Sequence, residues 1–161
     1  MSGLYLPHVH ALWVQPALAA LPASLNTLSA QQGVLGIGNT ESAGYRYIKQ
    51  IGSGPALGFW QMEPATHDDA WANFIRFRPA LQTALIELLG GKGACAQRLA
   101  DTPLYAAAMC RVQLYRAPMA LPPAYNATAW ATFWKTYYNT NKGAGNIIQA
   151  TPYFQNAMGV T

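Results

Sequence analysis

Charge is what this sequence has least of. Only 10% of its 161 residues are charged, against 52% hydrophobic, where soluble domains average about a quarter charged. A surface so poor in ions is left with Ala, Thr, Asn, Gln and aromatic groups. It suits contacts with carbohydrate, or assembly into a larger particle, better than free diffusion. Ten Lys and Arg outnumber six Asp and Glu, for a net charge of +4. They are scattered from Arg46 to Lys142, and no run forms a stripe for nucleic acid, which is not expected as a partner. The excess gives a mild attraction to any polyanion.

Cysteine is nearly absent too. Cys95 and Cys110 have no CxxC spacing and no His nearby, which argues against zinc. Both stand in Ala-rich helical text and read as buried free thiols. His8 and His10 form an H-V-H pair with no third ligand type close by, so no metal is expected. The stretch MSGLYLPHVHALWVQPALAAL lacks Lys and Arg ahead of its apolar residues and is broken by prolines. It reads neither as a signal peptide nor as a membrane span, so work outside the cytoplasm would need another route of delivery.

What is present fits one compact domain over residues 1–161, with no internal repeat. A first helical piece lies among Pro7, Pro16 and Pro22. A second helix is signalled from a Ser24 cap through Leu25, Leu28, Leu35 and Ile37 to about Glu41–Ser42. Gly33, Gly36 and Gly38 inside it each cost about 1 kcal/mol relative to Ala, which predicts close approach of another backbone. YRYIKQI alternates like a short strand, GSGP is a turn, and ALGFW can return. Thr66 offers the next helix start, with His67 in its first turn. Pro79 opens a helix closed by Gly90–Gly91. Two more follow in ACAQRLAD and PLYAAAMCRVQLYRA, one starts at Asn126 or Thr128 and ends at NKGAGN, and a short one spans Pro152 to Met158. The expected fold is therefore α+β and mostly helical, with one small β-hairpin insert beside the helix that ends at Glu41.

Carboxylates are missing from a telling place. Between Glu41 and Glu63 there is none, while Phe59, Trp60 and several Tyr lie close in sequence. An apolar, anion-poor setting raises a carboxyl pKa by disfavouring its charge. That is what an acid needs if it is to protonate a glycosidic oxygen near neutral pH. The plain alternative is a surface carboxylate at a helix C-terminus, where the helix dipole disfavours it.

Glu41–Ser42 at a helix end, an insert, and then Gly54-Pro55-Ala56-Leu57-Gly58-Phe59-Trp60-Gln61-Met62-Glu63-Pro64-Ala65-Thr66 resembles the soluble lytic transglycosylases of the lysozyme-like superfamily. Their pattern is Glu-Ser, an insert, Gly-x-x-Gly-Leu-Met-Gln, two residues and Pro-x-Thr. This chain has one added residue between the glycines, and Phe-Trp replaces Leu-Met. The resemblance covers residues 24–66 well and 103–143 loosely.

The resemblance implies a lysozyme-like bundle that cleaves the MurNAc–GlcNAc bond of peptidoglycan glycan strands without cofactor or metal. Glu41 would act as acid and then base, and the 6-hydroxyl of the sugar would close an anhydro ring. A lysozyme-type hydrolase, the second choice, would place an Asp in the hairpin, which here has only Arg46 and Lys49. Glu63 is an outside candidate for a second acid. The resemblance puts Ser42, Gln61 and Met62 at the substrate, although Gln61 also reads as a satisfied core polar group. The family's Tyr-Asn-Ala-Gly element has two imperfect counterparts. Tyr125–Asn126 lacks the Gly; Tyr138–Asn139, at a helix end, is favoured. Trp71, Trp130 and Trp134 read as core. The absent leader and the ion-poor surface suggest a bacteriophage virion protein, in tail or capsid interior, that acts on the cell wall beside other virion proteins, or else an endolysin made in the host cytoplasm. The contrasting reading is a virion structural protein that keeps the fold with little or no catalysis.

Overall fold

The computed structural model describes residues 3–139 and 144–161. Its helices are α1 (Leu6–Val9), α2 (Gln15–Ala20), α3 (Leu28–Glu41), α4 (Pro64–Asn73), α5 (Pro79–Leu88), α6 (Arg98–Asp101), α7 (Pro103–Tyr115), α8 (Ala127–Trp134) and α9 (Ile147–Met158). A π-helical turn, His10–Val14, joins α1 to α2, and a second, Lys135–Asn139, continues α8.

α3 is the axis of the packing. It lies chiefly against α9, which also holds α8, and its residues 32–39 are all buried. The three glycines make that possible, but aromatic rings press on them and not another backbone. A Cβ at Gly33 would overlap Trp130, at Gly36 Phe154, and at Gly38 Tyr45. Trp130 and Phe154 stack with ring centroids 6.3 Å apart, so the glycine face of α3 is a socket for rings from α8 and α9. α7 is buried along most of its length, from Tyr105 to Leu114. No helix of the described residues is long and apolar enough to cross a membrane.

The fold differs from expectation in its class. Among the described residues there is no strand and no sheet; the chain is helical, not α+β. Where a hairpin is expected, residues 42–63 form turns joined by two isolated bridges, Lys49 with Leu57 and Leu57 with Met62. The cause is the backbone. Ala43, Gly44, Tyr45, Gly52, Gly58 and Gln61 all have positive φ, and left-handed residues interrupt the pleat a ladder needs. Tyr45 takes this conformation with its ring fully buried and its hydroxyl donating to the Leu35 carbonyl at 2.8 Å. Tertiary packing overrides the local β pattern.

Several boundaries also move. Thr27, not Ser24, caps α3 by accepting from the Ala30 amide at 3.1 Å; Ser24 sits in a 3-10 turn. α4 starts at Pro64 and not at Thr66, because Pro at a first helical position has no N–H to leave unsatisfied. α9 starts five residues before Pro152, capped by Asn146. Cys110 is buried in α7, but Cys95 is exposed ahead of α6. The expected helix end at NKGAGN falls partly on Asn141–Gly143, outside the described residues.

Candidate active site

Glu41 is the last residue of α3, where the helix opens into a cleft of about 990 Å³. The π-turn after α8 brings a second wall to it. Trp134 Nε1–H donates to Glu41 Oε1 at 2.7 Å. Asn139 also hydrogen-bonds the carboxylate, and the Lys135 ammonium acts on it electrostatically. Lys135 Nζ in turn donates to Asn139 Oδ1 at 2.9 Å. Burial pushes the Glu41 carboxyl above its ordinary value, while Trp134, Asn139 and Lys135 pull it back; burial prevails. The result is a half-buried acid with one oxygen held in place.

The rest of the cleft is amide and aromatic. Gln50, Gln61, Gln113 and Gln149 face it together with Tyr47, Tyr137, Tyr138 and Tyr153. Among the described lining residues the only charged ones are Glu41 and Glu63. Tyr47 feels Glu41: burial and that negative charge both raise its phenol above the ordinary value. Such walls present flat apolar faces and neutral donors and acceptors, the surface that stacks on and hydrogen-bonds a polyhydroxylated chain.

The expected site residues divide. Gln61 reaches the cleft from a left-handed turn, with φ 47°, and its Nε2 donates to the Gly58 carbonyl at 2.8 Å. Met62 is 4% exposed and forms part of the wall. Tyr138 and Asn139 both line the cleft, and Tyr138 Oη donates to the Trp60 carbonyl at 2.8 Å. Tyr125 and Asn126 lie in a separate depression with Gln155 and Met158, and Asn126 caps α8. Thr140, Lys142 and Gly143, which extend the Tyr138–Asn139 version of the element, lie outside the described residues. Ser42 is not at the cleft: it is fully buried, and its Oγ donates to the Gly38 carbonyl at 2.6 Å. Glu63 is exposed on the rim.

Phe59 and Trp60 do not crowd the cleft. Trp60 is 1% exposed and donates from Nε1 to the Val34 carbonyl at 2.8 Å. Phe59 stacks on Trp13 with centroids 5.5 Å apart. Trp60 belongs to the core behind the site, and Phe59 packs against it. Trp134, expected as core, is the residue the sequence reading misses. Its spacing of four from Tyr138 puts those two on one side of a continuing helix, a signal open to a sequence reader, whereas Asn139, at five, joins them only through the π-helical turn. Among the described residues no group of three or more His, Cys, Asp or Glu could hold a metal ion. His10 instead pairs with Gln31, Nε2 to Oε1 at 2.8 Å.

No family model, no curated protein and no solved structure matches this chain.

Proposed function

We propose that the protein is a peptidoglycan lytic transglycosylase that cuts the MurNAc–GlcNAc bond with Glu41 as its single acid/base. One observation carries the reading. Glu41 is held by Trp134 at 2.7 Å in an amide- and aromatic-lined cleft, and burial raises its pKa. The Glu-Ser and Gly…Gly-x-x-Gln-Met-x-Pro-x-Thr resemblance supports the same residue.

Glu41 gives its proton to the leaving glycosidic oxygen as the C1–O bond breaks. As a carboxylate it then takes the proton of the 6-hydroxyl, whose oxygen closes on C1 to form the 1,6-anhydro ring. No water and no second carboxylate enters that sequence. Residues 42–62 supply no Asp or Glu to position water, which favours the lyase over a hydrolase. The Trp134 and Asn139 donors stabilise the carboxylate formed midway.

The test is a zymogram on purified cell wall, followed by mass spectrometry of the released sugars. Clearing with anhydro ends is expected, with a fall of about 10²–10⁴-fold in Glu41→Gln. Reducing ends would assign a hydrolase. No clearing by the unaltered protein would leave the structural role in a virion as the better reading.

A further inference from the structure

The cleft does not end at its rim. Thr66, Gln113 and Tyr137 line both the Glu41 cleft and a second depression of about 550 Å³, which also contains Asp69 and Arg116. Arg116 thus puts a cation in the depression that adjoins the cleft, in addition to Lys135 beside Glu41.

Behind Arg116 lies the densest cluster of positive charge described. Arg78 stacks on Phe74, 3.5 Å from its centroid, and Arg116 faces the same ring at 5.7 Å. Arg78 and Arg111 both approach the ring of Tyr115, at 6.0 and 5.9 Å. Arg76 covers Phe77 at 4.6 Å. Among the described residues Asp69, with Oδ2 2.6 Å from Arg116 Nη2, is the one carboxylate paired with any of the four. Arg111 is 5% exposed, its Nε donates to the Leu25 carbonyl, and its buried Nη1 has no partner. Its charge is uncompensated by any ion pair among the described residues. Phe77 and Tyr115, 62% and 47% exposed, give the cluster an open aromatic face.

We propose that this arginine–aromatic surface docks the acidic peptide branches of the glycan strand whose sugar chain occupies the Glu41 cleft. The inference rests on the glycan-cleaving reading above. Charge complementarity selects the occupant. A uniformly charged polyanion would have to give up water for its charges in a cleft of amides and aromatic rings and pass the exposed Glu63, where like charge repels. A neutral sugar chain with carboxylate-bearing branches places neutral units in the cleft and anions at the arginines. The planar guanidinium fork matches a carboxylate in two-point geometry. The Arg116–Asp69 pair is half open to solvent, and a pair of that kind is weak, so it yields to an incoming carboxylate.

The experiment compares peptide-bearing wall glycan with the same glycan stripped of its peptides. Binding is measured with the uncleaving Glu41→Gln protein, and cleavage with the unaltered one. Peptide-bearing strands should bind about 10-fold more tightly at low salt. Arg116→Ala and Arg78→Ala, made singly, should each shrink that preference, and high salt should erase it. Equal binding of both strands, or a preference untouched by either substitution, overturns the docking surface and leaves cleavage standing. Arginine-dependent binding of the peptide-bearing strand without any cleavage supports the docking surface and rejects the enzyme. Binding of neither strand rejects both.

Discussion

The indole N–H of Trp134 points at Oε1 of Glu41 across 2.7 Å, and Trp134 is itself only 2% exposed. One carboxylate oxygen is thus held by a donor that cannot swing away, and Asn139 adds a further hydrogen bond to the carboxylate. Replacing Trp134 with Phe removes the donor and keeps an aromatic ring in the core. The bond favours the charged form, so its loss should raise the Glu41 pKa further. The carboxyl resonance of Glu41 in a ¹³C NMR titration should move to higher pH, whether or not the protein turns over wall material. Glycan cleavage should fall about 10- to 100-fold, with the alkaline limb of its pH profile displaced upward. A variant that loses activity at every pH without moving the titration would reduce Trp134 to packing.

Gly145 presses on the same pair from behind. A Cβ there would overlap the Trp134 ring and lie 3.4 Å from Asn139 Nδ2. These are the two side chains that hydrogen-bond Glu41. Gly145→Ala should therefore cost about 1–3 kcal/mol by overpacking and displace the Trp134 donor. The expected reading is a Glu41 titration shifted in the same direction as in Trp134→Phe, with a lower Tm. Loss of stability with an unmoved titration would separate the fold from the site.

Burial of Glu41 also makes stability depend on pH, with a sign opposite to that of an ion-paired carboxylate. Because its folded pKa is raised from 4.5, the folded state binds the proton more tightly than the unfolded chain. Stability from this group is full below the unfolded value and is lost as pH rises through the folded one. Glu41→Gln carries no charge to desolvate. It should melt above the unaltered protein near neutral pH, and the gap should close as pH falls below about 4.5. Melting curves across that range decide it; a gap constant with pH would show that the amide acts through packing alone.

How far the sequence carries the reader can be judged residue by residue. The end of α3 at Glu41, the Pro79 and Pro103 starts and the Asn126 cap follow from periodicity and end signals that depend on near neighbours, whereas the start of α3 moves from Ser24 to the Thr27 cap. Glu41 stands out by isolation, and Gln61, Met62, Tyr138 and Asn139 line the cleft beside it. The hairpin fails because Ala43, Tyr45 and Gln61 adopt positive φ, which no side chain advertises; packing under α3 imposes it. Ser42 fails because its neighbour Glu41 opens outward as its own hydroxyl turns back to Gly38. Trp134 reads as core and is core, yet its one polar atom meets Glu41, 93 residues away in sequence. Pairing over such a span is set by how α9 packs on both α3 and α8, with the Trp130 ring seated at Gly33.

A second buried polar arrangement stands apart from the cleft. Tyr105, fully buried in α7, accepts from Trp71 Nε1 at 2.7 Å and lies 2.8 Å from His67 Nε2. His67 Nδ1 lies 2.8 Å from Asp68 Oδ1. Both ring nitrogens of this buried imidazole therefore have a hydrogen-bond partner. Tyr105→Phe keeps the ring and deletes the shared oxygen, leaving His67 Nε2 and the Trp71 indole without that partner. The expected cost is about 1–3 kcal/mol, or about 2–10 °C in Tm for a chain of this length. Glu41 makes none of these bonds, so its titration should be unchanged. A Tm equal to that of the unaltered protein would mean that water enters to replace the hydroxyl, and a shifted Glu41 titration would mean that α4 and α7 hold the cleft wall as one unit.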